Sequence, residues 1–231
     1  VIGTKGKPYI AQGTDPASIS LIQLESDQAC VSKMSMVDMG GYVMYASPDG
    51  LVSVQGSQVD LVTEPLLRRS QWQAYNPTAI KAMNYEGTYI GSNSTQSIVF
   101  DPRGGKNALS TCSDTFTAAY NNLESDTLYF VDGVSIKKFG QGTGSYTYTW
   151  RSKSFITAFP QNFSWGRVDA DVYPVTFKLY GDSVLKLTQT VADGEPFRLP
   201  SSYLAKDWEF EISGTSAVNS VGVADTTSEL V

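Results

Sequence analysis

Asp169 and Asp171 stand two residues apart, and so do Glu209 and Glu211. Side chains of an extended chain repeat with period two, so each pair shares one face of a strand. Two carboxylates converging on a glycosidic bond are the equipment of glycoside hydrolysis. The interleaved residues argue for a plainer role. Val168, Ala170 and Val172 alternate with the first pair, and Trp208, Phe210 and Ile212 with the second. Each pair therefore reads as the polar face of a half-buried strand. Asp49, Asp101, Asp132 and Asp182 sit in or near turns, where Asp bonds its own backbone. No stretch has the carboxylate density of a calcium loop. The 231 residues contain no histidine. That removes Ser-His-Asp and Cys-His triads, histidine metal sites and histidine pH switches. The expectation is a chain with no catalytic, cofactor-binding or metal-binding residue.

Two cysteines, Cys30 and Cys112, are too few for a disulfide scaffold and read as buried free thiols rather than as a bridge. "DPRGGKN", from Asp101 to Asn107, lacks the spacing and following helix of a P-loop and reads as a plain loop. "GQGTG", from Gly140, has no helix after it to hold a phosphate. Arg68-Arg69 could meet a phosphate, but it fits a solvated helix face better. Aromatics are plentiful, with 13 Tyr, 10 Phe and 4 Trp, enough to furnish both a core and contact surfaces. Trp72, Trp165 and Tyr203 fall in or near expected loops and are the candidate interface residues.

The elements that carry these residues are strands. "YVMYASPDGLVSV" from Tyr42 is an apolar run, a Pro-Asp-Gly turn and a second apolar run, which is a strong hairpin signal. Looser versions return at Tyr89, "YIGSNSTQSIVFD", and at Leu128, "LYFVDGVSIKKFG". The offsets of 47 and 39 residues match the length of a four-stranded β-propeller blade. A weaker start lies at Gly6. "EPLLRRSQWQAYNP", Glu64 to Pro77, breaks the pattern and reads as a short helix between blades. From Tyr146 the texture changes to closely spaced alternating strands around turns such as Gly181-Asp182. That texture predicts a compact β-sandwich. The fold expected is all-β: a partial β-propeller over residues 1–145, part of a larger one, then a small β-sandwich over residues 146–231. Too few blades to close a ring suggests a portion of a longer protein.

The formal net charge is −6 and the sequence pI about 4.7, which argues against a surface built to neutralise phosphates. No apolar run approaches the roughly 20 residues of a membrane-spanning helix.

Two groups of strings carry a family resemblance. "TYTWRSKSF", "DVYPVTFKLYGD" and "PFRLPSSYLAKDWEFEISGTSAVNSVGVADTTSEL" resemble the C-terminal part of virion proteins from tailed bacteriophages. "SMVDMGGYVMYASPDGLVSV" and "EPLLRRSQWQAYNP" resemble the part that precedes it. The type they are most similar to is the tail nozzle, also called tail hub or tail-stabilisation protein. The resemblance implies a homo-oligomeric ring, typically a hexamer, bound to other tail proteins such as adaptor and fibres or spikes. It further implies assembly in the host bacterial cytoplasm, a place in the virion tail, DNA passing without specific binding, and no active site or cofactor. A receptor-binding or glycan-binding tail component built on a propeller is the alternative, and a non-viral propeller binding module is a third reading.

Overall fold

A computed structural model describes residues 1–105, 108–142 and 144–230. The chain is all-β, with 48% of residues in strands and 9% in helices. It divides into two compact units, Val1–Gln141 and Gly142–Val231.

The first unit opens with an antiparallel pair, β1 (Tyr9–Gln12) and β2 (Ser20–Gln23). A four-stranded antiparallel meander follows: β3 (Val37–Asp38), β4 (Val43–Ala46), β5 (Leu51–Gln55) and β6 (Gln58–Leu61). A second has the same order: β7 (Lys81–Tyr85), β8 (Thr88–Ser92), β9 (Ser97–Phe100) and β10 (Leu109–Cys112). A three-stranded meander, β11 (Ala118–Asn122), β12 (Thr127–Asp132) and β13 (Ser135–Lys138), completes it. The three repeats seen in the sequence are the hairpins β4–β5, β8–β9 and β12–β13. Among the described residues the sheets do not close into a ring or barrel.

These sheets stack in chain order, and alternation along a strand shows how. Met44 and Ala46 of β4 join Tyr89, Ile98 and Phe100 in one core, while Tyr45 between them joins Ile10, Leu24, Val52 and Val54 in another. One residue on from Tyr89, Ile90 enters a third core with Phe116, Leu128 and Phe130. Both faces of the two central sheets are thus covered. That is why "YVMYA" reads as an unbroken apolar run rather than an alternating one. Each fully buried large side chain in such a stack contributes about 1.5–3 kcal/mol over its exposed state.

Turn chemistry sets the hairpins. Ser47 N–H donates to Gly50 O at 2.9 Å, and Asn93 N–H to Gln96 O at 3.0 Å, so two turns of different sequence close in the same way. In the third, Asp132 faces Ser135 across a two-residue loop whose first residue, Gly133, has φ 59°. A glycine suits that left-handed position. The expected helix between the first two meanders is shorter than Glu64–Pro77. α1 is Arg69–Ala74 only, because Leu66 and Leu67 N–H both turn back onto Thr63 O and Asn76, at φ 52°, ends it before Pro77.

The second unit holds two antiparallel sheets. In one, β14 (Tyr148–Arg151) and β15 (Phe155–Gln161) both pair with β20 (Ala205–Gly214), which continues to β17 (Val175–Gly181) and β18 (Val184–Val191). In the other, β16 (Trp165–Ala170) lies between β19 (Phe197–Arg198) and β21 (Val218–Ala224). One core joins them, built on Val168 and Ala170 from β16, Val175, Phe177 and Leu179 from β17, and Trp208 and Ile212 from β20. The β17–β18 turn sits one residue later than expected. Gly181 pairs with Val184, and Asp182 and Ser183 take φ of 52° and 64°.

Candidate functional site

The carboxylate pairs form no acid–base couple. β16 ends at Ala170 with a register shift after Asp169, so Asp171 falls beyond the strand and off the shared face. There its Oδ1 accepts from Asn219 Nδ2 at 3.0 Å, and its N–H donates to Ala217 O. Val172, expected on the buried face, is 61% exposed for the same reason.

Glu209 and Glu211 do share the outer face of β20, where cross-strand cations hold each of them. Arg151 Nε donates to Glu209 Oε2 at 2.6 Å and Lys178 Nζ to Glu211 Oε1 at 2.7 Å. Tyr180 Oη donates to the other oxygen of Glu211 at 3.1 Å, while the Arg151 guanidinium lies 4.0 Å from the Tyr180 ring centroid. The hydrogen bond from Lys178 holds the Glu211 carboxyl below the usual carboxylate range. A general acid at neutral pH needs the opposite shift. The arrangement is a polar ladder tying β14, β20 and β17 together.

The three interface candidates have separate settings. Trp72 is fully buried, a correction to its expected place on a contact surface. α1 presses it between the first two meanders, and its Nε1 donates to Ser47 O at 2.8 Å. Of the six residues of this short helix Trp72 is the buried one, and the other five are exposed. Trp165 is half-buried, with the Arg198 guanidinium 4.4 Å from its ring centroid. Tyr203 is half-buried too, its ring 5.8 Å from that of Trp208 and 5.0 Å from Lys186 Nζ. Each of these two rings is packed in part by its own unit.

Cys30 and Cys112 are free thiols, and burial pushes both above the ordinary thiol range. Arg69 Nε forms an ion pair with Asp49 Oδ1 at 2.8 Å, so this arginine lies against the first hairpin turn. In "DPRGGKN", Asp101 takes two hydrogen bonds from the Arg103 side chain, while Lys106 and Asn107 lie outside the described residues. Thr143 of "GQGTG" lies outside them as well. Among the described residues, no three His, Cys, Asp or Glu side chains gather as metal ligands.

Exposed apolar surface is what the structure adds. On the outer face of the β11–β13 sheet, Tyr120 stands opposite Tyr129 and Ile136 opposite Val131. Tyr120 is 66% exposed and Ile136 is 74% exposed. In the second unit, Tyr148, Trp150, Phe155 and Phe210 line a groove of about 510 Å³ between β14 and β21. Ile156 and Phe159 of β15 are exposed as well. The alternation of Tyr148 and Trp150 hinted at this groove in the sequence. Ile136, within the polar string "VSIKKF", gave no such hint. Compared with known proteins, the chain matches no protein-family model and no curated protein.

Proposed function

We propose that this chain is a structural component of a bacteriophage tail, part of a nozzle or hub ring through which DNA leaves. The observation that carries the reading is the uncovered apolar face of the β11–β13 sheet. In a propeller every blade is covered by the next. Here the two central sheets obey that rule, and the last one presents exposed Tyr120 and Ile136 beside half-buried Tyr129 and Val131 on the face turned away from its core. A further blade completes the stack, supplied by the rest of a longer polypeptide or by the neighbouring subunit. Ring subunits repeat one head-to-tail interface until the rotation closes. The phage-like strings support the tail assignment, and the net charge of −6 suits a conduit that must not retain phosphates. The role needs no catalytic residue and no cofactor.

Native mass spectrometry of the intact protein tests this reading. The expected result is a closed ring, typically a hexamer, which Tyr120→Lys with Ile136→Lys disperses while the melting of each subunit is retained. A protein that stays monomeric well above micromolar concentration overturns it, as does a channel lined mainly by Lys and Arg.

A further inference from the structure

A cavity of about 650 Å³ opens at one end of the first unit, where equivalent parts of three successive sheets meet. The segments leading into β3, β7 and β11 contribute Ser32 and Lys33, Thr78 and Ala79, and Thr115 to Thr117. The β8–β9 and β12–β13 turns contribute Asn93 and Ser94, and Asp132 and Gly133. In an antiparallel meander the start of the first strand and the turn after the second lie at the same end, so the repeat itself builds this recess. Its rim is fixed. Ser32 Oγ donates to Ile80 O at 2.6 Å, and Phe116 N–H to Ser92 Oγ at 2.9 Å, bridging neighbouring sheets. Asn93 Oδ1 accepts from Thr95 N–H and Gln96 N–H, which holds its turn closed.

The charge of the recess runs against that of the chain. Lys33 and Lys81 both line it, and neither makes an ion pair among the described residues. The only carboxylate in the lining, Asp132, is occupied by Lys137 Nζ at 2.6 Å. Lys81 is half-buried, on the same strand face as Met83 and Tyr85, at the end of an apolar layer. The hydroxyls of Ser94 and Thr115 make no hydrogen bond with the described residues, while Val31 and Met34 supply C–H surface. The sole aromatic ring in the lining, Phe116, is only 7% exposed and offers no stacking platform for a base.

We infer that this recess is a binding site for an acidic sugar, a polyhydroxylated ring bearing a carboxylate or phosphate. The volume suits a small ligand. Lys33 and Lys81 take the anion, Ser94 and Thr115 take ring hydroxyls, and the aliphatic wall takes the ring's C–H face. The assignment goes beyond the assembly reading and does not depend on it. Calorimetric titration of the full chain tests it, with glucuronate and glucose 6-phosphate as probes and glucose and inorganic phosphate as controls. Saturable binding of at least one acidic sugar is expected by about 10 mM, with glucose and phosphate each markedly weaker. Lys33→Gln and Lys81→Gln should each weaken it by about tenfold without lowering the melting temperature appreciably. Ser94→Asp, at an exposed rim position, should do the same by repulsion should Lys81→Gln disturb folding. No saturable binding of either acidic sugar overturns the assignment. So does binding indifferent to all three substitutions, or phosphate binding as tight as that of the sugars, which would leave a simple anion site.

Discussion

Trp72 and Glu211 show how one residue can be chemically expressive and structurally employed. Trp72 fills the space between two sheets and satisfies Ser47 O through its indole N–H. Trp72→Ala should cost about 3–5 kcal/mol in chemical denaturation. Trp72→Phe keeps much of the volume but leaves the Ser47 carbonyl without this donor, at about 1–3 kcal/mol. Either loss would appear in the isolated subunit, before any assembly. For Glu211 the prediction is a pH dependence. Its folded pKa lies below the ordinary 4.5, so its ionised form favours the fold. That stabilisation is complete above 4.5 and is lost as pH falls through the lowered folded value. Glu211→Gln removes the titration. Thermal melts of wild type and variant should differ at neutral pH and converge as pH falls from the ordinary 4.5 through the lowered folded value. The two thiols give a third residue-scale expectation. Burial keeps Cys30 and Cys112 protonated at neutral pH, so alkylation should be slow in the folded protein and rapid in denaturant.

At the scale of elements, the β17–β18 hairpin is a test of turn chemistry. Asp182 and Ser183 both adopt positive φ, the demand of a two-residue turn matched to strand twist. Asp182 is compensated, since its Oδ1 accepts from Lys206 and Asp207 N–H at 3.1 and 3.0 Å. Among the described residues, the Ser183 side chain makes no comparable bond. Ser183→Gly should therefore raise stability by about 0.5–1 kcal/mol, relief of steric strain outweighing the added freedom of the unfolded chain. A lower denaturation midpoint for this variant would contradict the account. The central hairpins β4–β5, β8–β9 and β12–β13 were legible because their turns combine Pro, Asp, Gly, Asn and Ser between apolar runs. The flanking strands were less so. β6 is four residues long with Gln58 and Asp60 exposed, and pairing with β5 makes it a strand.

For the molecule as a whole, the two units have separate cores, so they should fold separately. A fragment of residues 142–231 is expected to unfold in one cooperative transition, because Trp208, Phe177 and Val168 bury against one another within it. Residues 1–141 carry the open face at Tyr120 and Ile136 and should self-associate with rising concentration. Light scattering should show the tendency reduced in Tyr120→Lys and Ile136→Lys. The loss of both trends would mean that the face is not sticky and that the assembly reading lacks its foundation.

The amino-acid order by itself determined the all-β character, the change of texture near Gly140 and the tip at Asp49-Gly50, and it placed the third tip within one residue, since the loop is Gly133-Val134 rather than Asp132-Gly133. Each of these is a local matter of alternation and of backbone angles that few residues tolerate. Contacts distant in sequence decided the rest. Whether Trp72 faces a neighbour or Ser47, whether Glu211 is free or clasped by Lys178, and whether Lys81 finds an anion all depend on sheets brought together across tens of residues. Burial and charge pairing arise only when those surfaces meet, so no periodicity along the chain encodes them.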